Sequence, residues 1–230
     1  MKPKICVVIT AKNFEEIKKM FTKVERFEVD LAELRIDYLK EEVNLQKVRK
    51  LSSLPLIATN RPTFEGGFSE KPERERLEML FKAAESGFDY VDLEFSIKSL
   101  GEAVRKVKGL GSKTIVSYHD FSSTPPTQKL FELFSRKEKV KAEICKIVTM
   151  AKSFEDNLKI LGFVLEASKK GKIVSFCMGR LGILSRILSP IFGGEYTYAS
   201  IQTGMESAEG QLTVEDLHKV YSIIGGYLDY

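Results

Sequence analysis

Lys146 stands alone among apolar neighbours in Ala142-Glu143-Ile144-Cys145-Lys146-Ile147-Val148-Thr149. A lysine is rarely buried without a partner, and this one shares a strand face with Ile144 and Val148. Two readings are open. Either the stem lies along a strand edge and the ammonium snorkels to water, or burial and cations such as Arg35 lower its pKa. A neutral amine produced in that way attacks a carbonyl and forms a Schiff base. The chain has 2 histidines. His218 falls on the polar side of an amphipathic helix, Val214 to Ile224, where exposure is expected. His119 closes a strand in Ser117-Tyr118-His119-Asp120-Phe121, just ahead of a turn enforced by Thr124-Pro125-Pro126. There an imidazole suits general acid–base work near neutral pH. The alternative is a hydrogen-bonded structural histidine.

Charges also recur where a strand should be apolar. Side chains alternate between the two faces of a strand. In Leu31 to Asp37, Ala32, Leu34 and Ile36 form one face and Leu31, Glu33, Arg35 and Asp37 the other. If the apolar set faces helices, Glu33 and Arg35 point to the opposite side, as a structural ion pair or as ligand-binding groups. Arg61 follows a third strand in Thr59-Asn60-Arg61-Pro62, and Glu65-Gly66-Gly67 comes four residues later, reading as a flexible loop or lid. Phe176-Cys177-Met178-Gly179 leads to Ser185-Arg186 on a short helix. The last loop, Gly204 to Gln211, is long, polar and glycine-containing, able to fold over a ligand. Each of Arg35, Arg61 and Arg186 alone reads equally as a surface arginine; together, beside an inward lysine, they suggest bidentate grips on an anionic carbonyl substrate.

What must position these residues is legible from periodicity. Strands are expected over Lys4–Thr10, Leu31–Asp37, Leu56–Asn60, Tyr90–Phe95, Lys113–His119, Glu143–Thr149, Lys172–Met178 and Tyr196–Ser200. Helical segments lie between them, among them Pro72–Ser86 and Phe154–Lys170, followed by Gly87 and Gly171 where left-handed caps are expected. Eight strand-then-helix units at roughly 29 residues each approach the usual βαβ length of about 30. Such an alternation closes into a parallel barrel, with its chemistry at the carboxyl ends of the strands. An open doubly wound sheet usually carries a glycine-rich fingerprint after its first strand, and here Thr10-Ala11-Lys12-Asn13 has no glycine. With no linker and no break in composition, the expected fold class is α/β, one (β/α)8 TIM barrel over residues 1–230.

Composition narrows the function classes. Hydrophobic residues make up 43% and charged residues 30% of 230 residues, ordinary for a soluble globular chain. No apolar run reaches the roughly 18 residues of a membrane span, and Met1 to Asn13 lacks signal-peptide architecture; the expected location is cytoplasmic. The 3 cysteines, Cys6, Cys145 and Cys177, sit in apolar runs without metal-ligand spacing and read as buried thiols. Net charge is +4, with signs interspersed rather than gathered into a basic stripe, which argues against nucleic acid as a partner.

The residues resemble those of the type I 3-dehydroquinate dehydratase (3-dehydroquinase) family. The likeness runs from Lys4 to Gln211. Glu33-Leu34-Arg35-Ile36-Asp37 resembles the family's E-x-R-x-D, Arg61 through Gly67 its R-x-x-x-E-G-G, and Ser117 through Phe121 its S-x-H-D-F. Ile144-Cys145-Lys146-Ile147 resembles the strand bearing the Schiff-base lysine. Met178-Gly179 with Ser185-Arg186, and Ser207-Ala208 with Gly210-Gln211, resemble the seventh and eighth loops. Two positions depart: Phe176 where many relatives have methionine, and Glu209 where many have proline. Neither removes a reacting group.

The resemblance implies dehydration of 3-dehydroquinate to 3-dehydroshikimate, a lyase step of the shikimate pathway leading to chorismate and the aromatic amino acids. Lys146 would form the imine and His119 act as general acid and base, with Glu65 orienting it. Arg186 would hold the substrate carboxylate, and Glu33, Arg35, Arg61, Met178, Ser207 and Gln211 would complete the binding site. It implies no metal and no diffusible cofactor, and a homodimer, for which the apolar Ile183–Phe192 stretch is either interface or core. Two rivals stand beside it. A Schiff-base aldolase or transaldolase on the same barrel would need a phosphate cradle, for which Gly179 and Gly182 offer part; a barrel-shaped binding module would show no turnover.

Overall fold

The computed structural model describes residues 2–228, so Met1, Asp229 and Tyr230 of the expected domain lie outside the described residues. Eight principal strands alternate with helices: β1 (Ile5–Ile9), β2 (Leu31–Arg35), β3 (Leu56–Thr59), β4 (Tyr90–Glu94), β5 (Lys113–Asp120), β6 (Ile144–Met150), β7 (Lys172–Met178) and β8 (Thr197–Ser200). All neighbouring pairs are parallel. The ladder runs β7-β6-β5-β4-β3-β2-β1-β8, then to β9 (Leu212–Thr213), a two-residue strand the sequence did not suggest. Glu195 N–H, just ahead of β8, donates to Ile173 C=O of β7 at 2.8 Å and joins the two ends of the curled sheet. The fold is the expected single (β/α)8 barrel.

Alternation along each strand sorts the apolar residues into two cores. In β1, Ile5, Val7 and Ile9 pack toward the helices, whereas Cys6 and Val8 belong to a separate interior cluster. That cluster draws also on Leu31, Ile57, Ile115, Ile144, Val148, Val174, Phe176, Met178, Tyr196 and Tyr198, so it is the filled inside of the barrel. The outer core is capped by α1 (Phe14–Val24), α2 (Leu45–Arg49), α3 (Glu73–Glu85), α4 (Leu100–Gly109), α5 (Thr127–Lys139), α6 (Glu155–Ser168), α7 (Ile183–Leu188) and α8 (Val214–Leu228). Local chemistry sets helix boundaries. The Asn13 side chain accepts from Glu16 N–H at 2.9 Å, and Glu16 reaches back to Lys12 N–H, a reciprocal cap that starts α1. All three cysteines are buried and free, and burial pushes the Cys145 thiol up to about 12.

Three details differ from expectation. Strand β2 stops at Arg35 and turns into a short 3-10 segment, Ile36–Tyr38, because Asp37 is pulled back to chelate the Arg35 guanidinium. Gly87 has the left-handed φ of 87° expected of a cap, but Gly171 does not; it serves close packing beside Lys137 and Phe134 instead. The Ile183–Phe192 stretch divides: Ile187, Ile191 and Phe192 pack on the core while Leu184 is exposed.

Candidate active site

Because Ala32 and Leu34 face the helices, Glu33 and Arg35 of β2 project into the barrel, and both are buried. The same alternation acts in β4, where Val91 and Leu93 face outward and Asp92 and Glu94 inward. Ser117 lies beside Lys146 across the β5–β6 ladder, and His119 is one inward step nearer the carboxyl end, opposite Val148. Arg61 stands just past the end of β3, after Asn60, and Tyr198 comes from β8. Glu33, Arg35, Arg61, His119, Lys146 and Tyr198 line a cleft of about 80 Å³ at the carboxyl ends of the strands, with Asp92, Glu94 and Ser117 buried beside it. All ten residues singled out from sequence border it: Lys146, His119, Glu65, Glu33, Arg35, Arg61, Met178, Arg186, Ser207 and Gln211.

Lys146 is 5% exposed, which sets aside the snorkelling alternative. Its Nζ lies 3.1 Å from Asp92 Oδ2, 3.1 Å from the Tyr198 hydroxyl and 3.5 Å from Glu33 Oε1. The expected surroundings of cations are therefore corrected. Arg35 is engaged by Asp37 at 2.6 Å, and carboxylates take its place beside the amine. Asp92 is also the anchor of Arg61 (2.8 Å) and accepts from Ser117 Oγ. Its burial opposes ionisation, but Arg61 and Lys146 hold its carboxyl below the usual aspartate range. Arg61 itself is raised despite burial by Asp92, Glu94 and Glu65. Behind it Glu94, paired to Arg76 of α3 at 3.1 Å, is pushed up to about 7 by burial, with Arg61 and Arg76 acting against that rise.

His119 Nδ1 stands 3.5 Å from Glu65 Oε2, and neither atom makes a hydrogen bond; the other Glu65 oxygen accepts from Ser96 Oγ at 2.6 Å. Burial, followed by the charges of Arg61, Lys146 and Arg35, holds the imidazole well below its ordinary pKa, so it is neutral at pH 7. Burial raises the Glu65 carboxyl, with Arg61 opposing. The Arg61–Ser69 loop is a built turn rather than a slack one. Gly67 N–H bonds Pro62 C=O, Ser69 N–H bonds Arg61 C=O, and a Cβ on Gly67 would strike the Arg61 backbone. Phe68 N–H donates to Asp37, which ties this loop to Arg35.

Arg186 differs from the other arginines. It is buried, has no carboxylate partner among the described residues, and leaves Nε without a hydrogen bond. Its guanidinium lies 4.5 Å from the centre of the Phe176 ring and 3.5 Å from Glu209 C=O. Burial lowers its pKa to about 10. Both departures from the family pattern thus meet Arg186, one through its ring and the other through a backbone carbonyl that proline would also offer. Across the mouth, Gln211 Oε1 accepts from Ser207 N–H and Oγ, which folds the last loop over the cleft. The arrangement offers an amine, a neutral imidazole and an unpaired cation around one space, a set suited to an anionic ketone.

Sequence reasoning missed Asp92 and Tyr198. The signal for Asp92 was present, since Tyr90-Val91-Asp92-Leu93-Glu94 repeats the alternation that exposed Glu33 and Arg35. Tyr198 gave none, because a tyrosine in an apolar strand reads as core. Among the described residues no group of three or more His, Cys, Asp or Glu side chains is placed to hold a metal ion, and no helix is long and apolar enough to cross a membrane.

Residues 5–227 match the family model for type I 3-dehydroquinase. A 3-dehydroquinate dehydratase of Dehalococcoides mccartyi is 38% identical over 220 residues, covering 95% of each chain, and that of Pyrococcus abyssi is 38% identical over 221 residues, covering 96% of this chain and 98% of its own. The crystal structure of 3-dehydroquinate dehydratase from Geobacillus kaustophilus superposes with a TM-score of 0.92 at 28% identity, covering 99% of this chain and 93% of that one. The Clostridium difficile type I enzyme, solved with covalently modified comenic acid, gives 0.86 at 26% identity, with 97% and 92% covered. A 3-hexulose-6-phosphate synthase, at 16% identity and a TM-score of 0.58, shares the fold alone.

Proposed function

The chain belongs to the type I 3-dehydroquinase family, and from that premise we propose that its dehydration of 3-dehydroquinate runs through a Lys146 imine with His119 as general base and acid. The observation that carries this reading is the buried Lys146 amine at the floor of the cleft, one inward step from a neutral His119.

The free amine of Lys146 adds to the C3 ketone, and loss of water from the carbinolamine gives an iminium that withdraws electrons from C2. His119, neutral because of its burial and its cationic neighbours, takes the C2 proton. The enamine then expels the C1 hydroxyl, to which His119 returns the proton, releasing water. Hydrolysis of the imine frees 3-dehydroshikimate and restores the amine. Glu65, 3.5 Å from Nδ1, fixes the ring and stabilises the imidazolium that forms between the two proton transfers. Arg186 takes the substrate carboxylate, which supplies the anion its buried guanidinium lacks. Glu33, Arg35, Arg61, Met178, Ser207 and Gln211 bind the hydroxyls and the ring. The chemistry calls on no metal or diffusible cofactor.

We further infer a cytoplasmic homodimer. Leu158 of α6, Leu184 of α7 and Leu181 just before it are exposed, an apolar surface available to a second copy, and sedimentation velocity tests it. The mechanism is tested by borohydride trapping with 3-dehydroquinate followed by peptide mass spectrometry. An adduct on Lys146, lost in Lys146→Ala together with turnover, is expected. Near-normal turnover by that variant would refute the imine.

A further inference from the structure

Tyr198 occupies a place that the reaction as described does not use. Its hydroxyl accepts from Lys146 Nζ at 3.1 Å and donates to Glu33 Oε1 at 3.4 Å. The ring is locked by edge contacts with Phe176 and Tyr196, and the Lys146 ammonium lies 4.4 Å from its centroid. The residue borders the cleft together with Lys146 and Glu33, and all three are buried, so water has little access to them. We propose that Tyr198 is a catalytic residue that carries the Lys146 proton to Glu33, producing the free amine that attacks the substrate ketone.

The inference rests on the imine reading. An ammonium cannot add to a carbonyl until it loses a proton, and a buried lysine must pass that proton to a neighbour. Two carboxylates are near. Asp92 is committed: it holds Arg61 at 2.8 Å and accepts from Ser117, and the charges of Arg61 and Lys146, with the Ser117 hydrogen bond, favour its ionised form. Glu33 has fewer obligations, accepting from Thr59 Oγ1 at 2.7 Å; it stands 3.5 Å from Nζ, and the Tyr198 hydroxyl contacts both groups, 3.1 Å from Nζ and 3.4 Å from Oε1. Tyr198 bridges the gap. One N–H bond of Lys146 breaks as the phenol oxygen takes the proton; the phenol O–H breaks as its proton passes to Glu33 Oε1. The product is a neutral amine, an unchanged phenol and a neutral carboxylic acid. Reversal of the same chain reprotonates Lys146 when the imine is hydrolysed. Burial, with Glu33 close by, holds the phenol well above its ordinary pKa, so Tyr198 starts and ends as a neutral donor.

The test isolates imine formation by using the product, 3-dehydroshikimate, which forms the imine without proton removal from carbon. Adduct formation on Lys146 is followed by quenched-flow borohydride trapping in the wild type, Tyr198→Phe, Glu33→Gln and the double variant. Tyr198→Phe keeps the ring and removes the oxygen, and the final adduct yield reports that the site is intact. The carrier predicts adduct formation slowed about a hundredfold in Tyr198→Phe with full final yield. It also predicts that the phenylalanine adds less than about twofold in the Glu33→Gln background, since the proton acceptor is already gone. Wild-type rates in Tyr198→Phe overturn the proposal, and so do losses that multiply in the double variant, because a purely packing role is independent of the Glu33 charge. Absence of any adduct in the wild type would instead refute the imine itself.

Discussion

Replacing Arg186 by methionine should make the protein more stable and nearly inactive. Methionine is shorter than arginine, but its flexible apolar side chain lies along the same channel toward Phe176. What disappears is a buried cation without a carboxylate. Lowering a guanidinium to about 10 from its ordinary value costs the charged form about 3 kcal/mol. Its folded pKa is depressed, so the cost applies wherever both states are charged, which is all pH below about 10. Against it stands the contact with the Phe176 ring, worth about 1 kcal/mol. The net expectation is a gain of about 2 kcal/mol, or roughly 4–8 °C for a chain of this size. On the other side, a carboxylate held by two charge-assisted hydrogen bonds of about 2 kcal/mol each loses both, a fall in kcat/KM of about a thousandfold. Guanidinium chloride unfolding and steady-state dehydration of 3-dehydroquinate measure the two arms. A variant destabilised by more than about 1 kcal/mol would show that Arg186 holds the fold, and the argument that it is reserved for an anion would fail.

Asp92→Asn leaves Arg61 and Lys146 without their shared carboxylate in a dry interior. A loss of about 3–5 kcal/mol in denaturant unfolding is expected, and a midpoint near that of the wild type would contradict the pairing. Because folding suppresses protonation of His119, the unfolded chain binds the extra proton below about pH 6.5. This histidine's contribution therefore makes stability fall as pH drops through that region. The acid limb of kcat/KM belonging to the His119 base should likewise lie below that value, and a limb centred above it would rule out a depressed imidazole.

The alternation of Ala32, Leu34 and Ile36 against Glu33 and Arg35 already assigned the two faces of β2, and the eightfold recurrence of such runs assigned the barrel. Those are short-range patterns, fixed by the two-residue period of a strand and the need to bury one face. Lys146 and His119 were legible for the same reason: each is a polar residue where the pattern asks for an apolar one or ends. Partner identity was not legible. Nothing local says that the amine of β6 meets Asp92 from β4 and Tyr198 from β8, or that Glu33 from β2 stands beside the lysine. Those contacts depend on strand register and on the curvature that brings β4 and β8 to opposite sides of β6. The unpaired state of Arg186 is of the same kind, since a charge lacks a partner only with respect to everything folded around it. The sequence determined which residues face inward; the closed barrel decided which charges neutralise one another and which one is left for a ligand.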